Sequence, residues 1–240
     1  VLADAAHSFG ASYNGKKTGS LCDVSVFSFH AVKNLVTAEG GAVCLNLPEP
    51  FNNEEIYKYL CIKTLHGQNK DALAHTQKGA WRYDVIEEGY KCNMTALAAA
   101  IGLIEIERYD NDTLVRRREI FDKYAAAFIK DQRFTLPIYS KANKTSCYHL
   151  YPLRIKGITE EQRDAIIKEI FDHDVSVNVH FIPVPCMSFY KNMGYDIKNY
   201  PVAYKNYSAE ISLPVFYDLN NEMTETVIKA VIASVNKVVG

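Results

Sequence analysis

Apolar residues fall in short runs over the first forty-five positions and at helical spacing over much of the remainder. Val1-Leu2-Ala3, followed at once by Asp4, reads as the end of a buried strand. Val24, Val26 and the Phe27-Ser28-Phe29 run read as a second strand. A polar turn from His30 to Thr37 precedes Glu39-Gly40-Gly41 and a third strand, Ala42-Val43-Cys44-Leu45. The glycine pair suits a tight entry. Pro48 and Pro50 punctuate the loop before a helix over 53–62. The stretch from Gly67 to Lys91 has weak periodicity and reads as an ordered excursion carrying Trp81, Arg82 and Tyr83. From Thr95 onward, Leu97, Ala98, Ile101 and Ile104 recur near every 3.6 residues. Ala98-Ala99-Ala100 and Gly102 are poor in bulk there, so a neighbour must pack closely.

A second, longer helix follows, with Tyr124 to Phe128 on its apolar side and the basic triplet Arg116-Arg117-Arg118 expected on a solvated face. Beyond Pro137 the pattern changes. Tyr148 to Ile155 and Val175 to Phe181 read as strands, the latter from the alternation of Val175, Val177 and Val179. Ala209 to Leu213 reads as another. Thr159-Glu160-Glu161-Gln162 is a capping-box signature before a helix carrying Ile166, Ile167, Ile170 and Phe171. Asn220-Asn221 caps a final helix whose apolar positions are Val227, Ile228, Val231, Ile232 and Val235. The chain is therefore expected to be α/β over 1–110 and α+β over 111–240, with the boundary on the helix at about 111–131.

Composition narrows the function. The 240 residues carry 27 Lys plus Arg against 28 Asp plus Glu, a net charge of −1, which offers no polycationic face for nucleic acid. Hydrophobic residues at 48% against 23% charged are those of a globular chain with ample core. No apolar run reaches the ~18–20 residues that span a bilayer, so no membrane partner is expected. The six cysteines are scattered without a C-x-x-C pair or metal spacing, which favours free thiols in a reducing cytoplasm and no metal. The start at Val1 suggests a chain that begins inside a domain.

The chemistry is concentrated at strand ends. Lys33 follows a strand by four residues among apolar neighbours. A cleft there would favour its neutral amine, a nucleophile toward an aldehyde, although spacing alone fits a snorkelling surface lysine better. Asp4 also ends a strand, and in α/β sheets ligands lie beyond the carboxyl ends of the strands. A carboxylate facing an aromatic nitrogen keeps that nitrogen protonated, as an electron-sink cofactor requires. Ser28 could offer a hydroxyl to a phosphate. Taken singly, Asp4 is also a plausible helix cap and Ser28 a plain strand residue.

Asp4-Ala5-Ala6-His7-Ser8-Phe9-Gly10-Ala11, Gly15-Lys16-Lys17-Thr18-Gly19, Phe27-Ser28-Phe29-His30-x-x-Lys33-Asn34 and Glu39-Gly40-Gly41 occur here in an informative order and spacing. So do Gly89-Tyr90-Lys91-Cys92-Asn93-Met94-Thr95, Tyr148-His149-Leu150 and His180-Phe181-Ile182-Pro183. Together they resemble the DegT/DnrJ/EryC1/StrS family of fold type I, pyridoxal 5'-phosphate (PLP)-dependent nucleotide-sugar aminotransferases, over essentially the whole chain. The resemblance implies that 1–110 is the C-terminal portion of a PLP-binding large domain and 111–240 a small C-terminal domain. It assigns Lys33 to covalent attachment of PLP and proton shuttling. Asp4 goes to the pyridinium nitrogen, His7 to the region of the phenolic oxygen and Ser28 to the phosphate. Asn93 is assigned to the phosphate of a second subunit's cofactor in a homodimer with shared sites. The Lys91-Cys92-Asn93 run departs from the Asn-Tyr-Arg of many relatives, so the phosphate role there is open. His30 and His180 are candidates for the substrate, His180 being equally readable as a half-exposed strand residue.

The implied reaction moves an amino group from an amino acid, L-glutamate by expectation, to a keto group of a nucleotide-linked deoxysugar for bacterial surface polysaccharide or glycans, in the cytoplasm. A dehydratase relative or a non-catalytic scaffold fragment are the alternatives. Lysine at 33, where dehydratase relatives place histidine, disfavours the former. The family carries roughly 150 further residues before this point, including part of the cofactor site. The expectation is therefore that these 240 residues alone bind PLP weakly or not at all.

Overall fold

The computed structural model describes residues 1–69 and 83–240. Trp81 and Arg82, expected on the ordered excursion, lie outside the described residues. The elements run β1 (Leu2–Asp4), β2 (Ser12–Tyr13), β3 (Lys16–Lys17), β4 (Val24–Ser28), β5 (Gly41–Leu45), α1 (Asn53–Thr64), α2 (Ala96–Arg108) and α3 (Leu114–Phe128). There follow β6 (Phe134–Thr135), β7 (Ser140–Lys141), β8 (Lys144–Thr145), β9 (Tyr151–Ile155), α4 (Glu160–Phe171), α5 (Ser188–Asn192), α6 (Pro201–Tyr207), β10 (Glu210–Leu213) and α7 (Asn221–Val239). They form two compact units: Val1–Asp110 with Ala142–Cys147, and Asn111–Lys141 with Tyr148–Gly240. The fold is α/β.

In the first unit, β1 lies parallel to β4, and β5 runs antiparallel along the other side of β4. The register sets Asp4 opposite Val26, so Asp4 and Ser28 both lie at the carboxyl ends of adjacent parallel strands. The period of two turns Ser25 and Phe27 inward, while Val26 stays exposed on the opposite face. The second strand is thus buried on one face. Phe9 fills the space beneath it, edge-on to Phe27, Phe29 and Tyr109 with ring centroids 5.4, 5.8 and 4.9 Å away. The Tyr109 hydroxyl donates to the Phe9 carbonyl at 2.8 Å, tying the end of α2 to this cluster. Gly102 meets its close neighbour in Thr37: a Cβ there would stand 3.1 Å from Thr37 Cγ2. Thr95 caps α2 by accepting from the Ala98 N–H at 3.2 Å. Leu97, Leu103, Ile104 and Ile106 of α2 are exposed.

Gly10 shows why the motif carries glycine. Its φ of +89° is unfavourable for side-chain-bearing residues, and a Cβ would stand 2.3 Å from Tyr109 Cε1. Gly10→Ala is expected to cost more than ~1 kcal/mol of stability in this unit, through backbone strain and displacement of Tyr109. Urea denaturation followed by tyrosine fluorescence measures it, and an unchanged midpoint would refute the steric account.

The second unit packs a sheet of order β10-β9-β6 against helices. Tyr151, Leu153 and Ile155 of β9 are buried, the two aliphatic side chains each contributing ~1.5–3 kcal/mol on transfer from water. The core extends through Ile120, Phe121, Tyr124 and Phe128 of α3, Ile166 and Ile170 of α4, and Val227, Val231 and Val235 of α7. The capping box forms as its sequence indicates: Thr159 Oγ1 accepts from the Gln162 N–H at 3.3 Å, and Gln162 Oε1 accepts from the Thr159 N–H at 2.9 Å.

Two expectations are corrected here. The basic triplet is not a solvated face. Arg117 is buried and donates to the carbonyls of Tyr148 at 2.9 Å and His149 at 3.3 Å, while Arg116 donates to that of Leu219. Only Arg118 is exposed. Desolvated guanidinium donors satisfy backbone carbonyls that would otherwise be buried without partners. The run Val175 to Phe181 forms a single bridge, Asn178 to Ser212, in place of a strand. Two residues on, the His180 N–H turns to the Glu210 carboxylate at 3.0 Å, so a side chain takes the donor a longer ladder would use.

Candidate active site

β1 ends at Asp4, whose Oδ1 accepts from the Ala6 N–H at 3.1 Å in a tight turn. The turn delivers His7, three residues on. Cys147 helps to fix it, its thiol donating to the His7 carbonyl at 2.9 Å. β4 ends at Ser28, and the chain then turns, with the Lys33 N–H donating to His30 O and the Thr37 N–H to Phe29 O, each at 2.9 Å. Asn34 anchors this turn from inside. It is buried, and its Nδ2 donates to Cys147 O at 2.7 Å and to the Tyr109 hydroxyl at 3.1 Å.

Lys33 Nζ lies 2.7 Å from His7 Nε2. With the amine donating, Nε2 accepts and the imidazole proton sits on Nδ1. Burial pushes His7 below the ordinary imidazole value, the Lys33 charge pushes it further, and the Asp4 charge opposes both. Amine, imidazole and carboxylate therefore share one electrostatic neighbourhood at the carboxyl ends of two parallel strands.

The other candidates are placed as follows. Ser28 Oγ accepts from the His30 N–H at 3.4 Å, beside the same strand end. His30 is exposed, with Nε2 3.6 Å from Glu39. Asn93 is exposed, paired with Lys91, and lines a cavity of about 500 Å³ with Glu39, Gly40, Gly41, Met94 and Thr95. Lys33, His7 and Asp4 do not line that cavity. His180 belongs to the second unit, where its Nδ1 lies 2.8 Å from Ser212 Oγ.

Sequence reasoning missed the supports. Asn34 and Cys147 hold the Lys33 turn and the His7 backbone from 113 residues apart, and only the adjacency of Asn34 to Lys33 hinted at it. Glu210 and Ser212 were legible only as strand residues, although a glutamate and a serine inside an apolar strand are a signal of buried partners. Glu210 is buried, and desolvation raises its carboxyl above the ordinary range against the Ser212 hydroxyl, the His180 N–H and the charges of Arg163 and Arg154. Among the described residues no cluster of three or more His, Cys, Asp or Glu could hold a metal ion, and no helix is long and apolar enough to cross a membrane.

Compared with known proteins, residues 1–232 match the profile of the DegT/DnrJ/EryC1/StrS aminotransferase family. The chain belongs to this family. Among solved DegT/DnrJ/EryC1/StrS relatives, Spr1654 of Streptococcus pneumoniae, assigned as a sugar aminotransferase, superposes in its PMP form with a TM-score of 0.91 at 40% identity, covering 99% of this chain and 59% of that one. The same protein has been solved in a PLP form. The spore coat polysaccharide biosynthesis protein SpsC of Bacillus subtilis is 34% identical over 96% of this chain and 58% of its own length. A UDP-4-amino-4,6-dideoxy-N-acetyl-beta-L-altrosamine transaminase of Campylobacter jejuni is 34% identical over 92% of this chain and 54% of its own. The chain thus spans somewhat over half the length of the relatives it matches.

Proposed function

We propose that the protein is a PLP-dependent aminotransferase that moves an amino group from an amino acid, L-glutamate in the first instance, to a keto group of a nucleotide-linked deoxysugar. The observation that carries the reading is the 2.7 Å approach of Lys33 Nζ to His7 Nε2 beside Asp4. The relatives support the chemical class: a sugar aminotransferase assignment solved with PLP and PMP, and a transaminase acting on a UDP-linked amino sugar.

The residues present fit the cofactor. A primary amine for its aldehyde, a carboxylate for its ring nitrogen and a strand-end hydroxyl for its phosphate lie together at one sheet end. PLP, when bound, supplies an electron sink for the carbon that loses its proton. Lys33 would hold the cofactor covalently and afterwards carry a proton on Nζ between donor and acceptor carbons. Neutral His7 would orient that amine through Nε2 without adding a competing cation. Asp4 would hold the proton on the ring nitrogen, and Ser28 would bind phosphate. We assign Asn93 to the cofactor phosphate of a second subunit in a homodimer, and His30 and His180 to the sugar nucleotide.

The test supplies PLP, L-glutamate and UDP- or dTDP-linked 4-keto-6-deoxyhexoses and follows 2-oxoglutarate. Formation that depends on the keto sugar is expected. PLP bound to the protein without any 2-oxoglutarate would remove the reading.

The depressed His7 gives a pH prediction. Folded His7 binds fewer protons than the unfolded chain, whose histidine titrates near 6.5. His7 therefore has no effect on stability well above that pH and costs stability as pH falls through it. His7→Gln should flatten this acid sensitivity. Urea midpoints at pH ~7.5 and ~5.5 measure it against the reference imidazole value. An identical acid response in both proteins would contradict the partly buried, neutral imidazole.

A further inference from the structure

Glu210 and Ser212 stand two apart on β10 and are both buried, at 4% and 3% exposure. The neighbouring segment meets β10 at the Asn178–Ser212 bridge and brings His180 alongside. Glu210 Oε2 accepts from the His180 backbone N–H at 3.0 Å. Ser212 Oγ bonds Glu210 Oε1, and His180 Nδ1 lies 2.8 Å from the same Oγ. His180 also lines a cavity of about 450 Å³, together with Arg154, Phe181, Asn206 and Tyr207.

The direction of this chain of hydrogen bonds follows from its donors. A backbone N–H only donates, and it occupies Oε2. The serine has one proton, which serves either the carboxylate or the imidazole. A carboxylate has none to give, so Ser212 must donate to Oε1 and accept from Nδ1–H. Burial raises the Glu210 carboxyl, and the Ser212 hydroxyl, the His180 N–H and the charges of Arg163 and Arg154 oppose it. Arg163 is itself buried with Nη1 3.4 Å from the Glu210 carbonyl, and the relay is drawn for the carboxylate that these donors and cations hold. The ring proton then sits on Nδ1 and Nε2 bears a lone pair.

We infer that Glu210 and Ser212 are positioning residues that hold His180 as its Nδ1–H tautomer, making Nε2 a hydrogen-bond acceptor for a hydroxyl or N–H donor. A sugar hydroxyl or an amine is the chemistry such a nitrogen recognises. An exposed imidazole favours the opposite tautomer, so the effect of the relay is to invert the polarity of the ring. The inference stands independently of the transamination reading.

Long-range proton–nitrogen NMR of this 240-residue chain, with ¹⁵N-labelled histidine, reads the tautomer without any activity. The His180 signals are assigned by their loss in His180→Gln. The expected result is a protonated-type nitrogen shift at Nδ1 and a bare-type shift at Nε2. Glu210→Gln should exchange the two. Its amide oxygen takes the His180 N–H, its NH2 donates to Ser212, and the hydroxyl turns to Nδ1. Ser212→Ala should release the ring to the Nε2–H form, and Ser212→Thr should restore the wild-type pattern. A wild-type His180 protonated at Nε2 would overturn the inference. So would a folded Glu210→Gln protein with unchanged shifts. The wild-type spectrum decides even where a variant does not fold.

Discussion

Replacing Lys33 with alanine should leave no PLP that borohydride can fix to the protein and should slow amino transfer by ~10²–10⁴-fold, the range for loss of a positioned acid–base group. The loss has two parts. The amine at 2.7 Å from His7 Nε2 is the group proposed to hold the cofactor aldehyde, and it is also the proposed proton carrier. Lys33→Arg separates amine chemistry from charge, because a guanidinium keeps the cation but is a very poor nucleophile. Both variants should be equally inactive. Mass spectrometry of the reduced protein checks the first part, and 2-oxoglutarate formation checks the second. A Lys33→Ala protein that still carries reducible PLP would place the attachment elsewhere.

Phe121→Ala should destabilise the second unit by about 3–5 kcal/mol, the cost of emptying a packed aromatic site. Phe121 is 1% exposed and stands edge-on to the rings of Tyr139, Tyr148 and Tyr151 at 5.4, 5.2 and 4.9 Å. No single neighbour can collapse into the hole, because Tyr139 is tied to Asp122 at 2.9 Å and Tyr151 lies in the middle of the sheet. Urea denaturation followed by near-ultraviolet circular dichroism measures the loss. A cost below ~1 kcal/mol would show that the tyrosines repack freely.

The elements with strong periodicity were legible. The capping box at Thr159 to Gln162, the Asn220 cap and the Val227, Val231 and Val235 stripe of α7 form as their spacing indicates, because each depends on residues within a turn or two. β4 and β5 were found by their apolar runs. What local pattern could not show was the fate of donors at a distance. The valine alternation over 175–179 reads as a strand, yet the ladder ends after one bridge because Glu210 takes the His180 N–H. Arg117 looks like surface charge until carbonyls 31 and 32 residues away receive it. The site followed the same division. Strand ends and motif order singled out Asp4 and Lys33 as candidates, Asp4 lying at the end of a strand parallel to its neighbour. The contact of Lys33 with His7, and the anchoring of both by Asn34 and Cys147, depend on tertiary packing that spacing does not encode.

The return of residues 142–147 to the first unit has a practical consequence. Thr145 pairs with Ser12, and Cys147 meets both His7 and Asn34. Cutting the polypeptide after Asp110 would not liberate an intact first unit. It would strip away the residues that meet His7 and Asn34 beside Lys33, so any dissection into separately expressed pieces must carry that hexapeptide along.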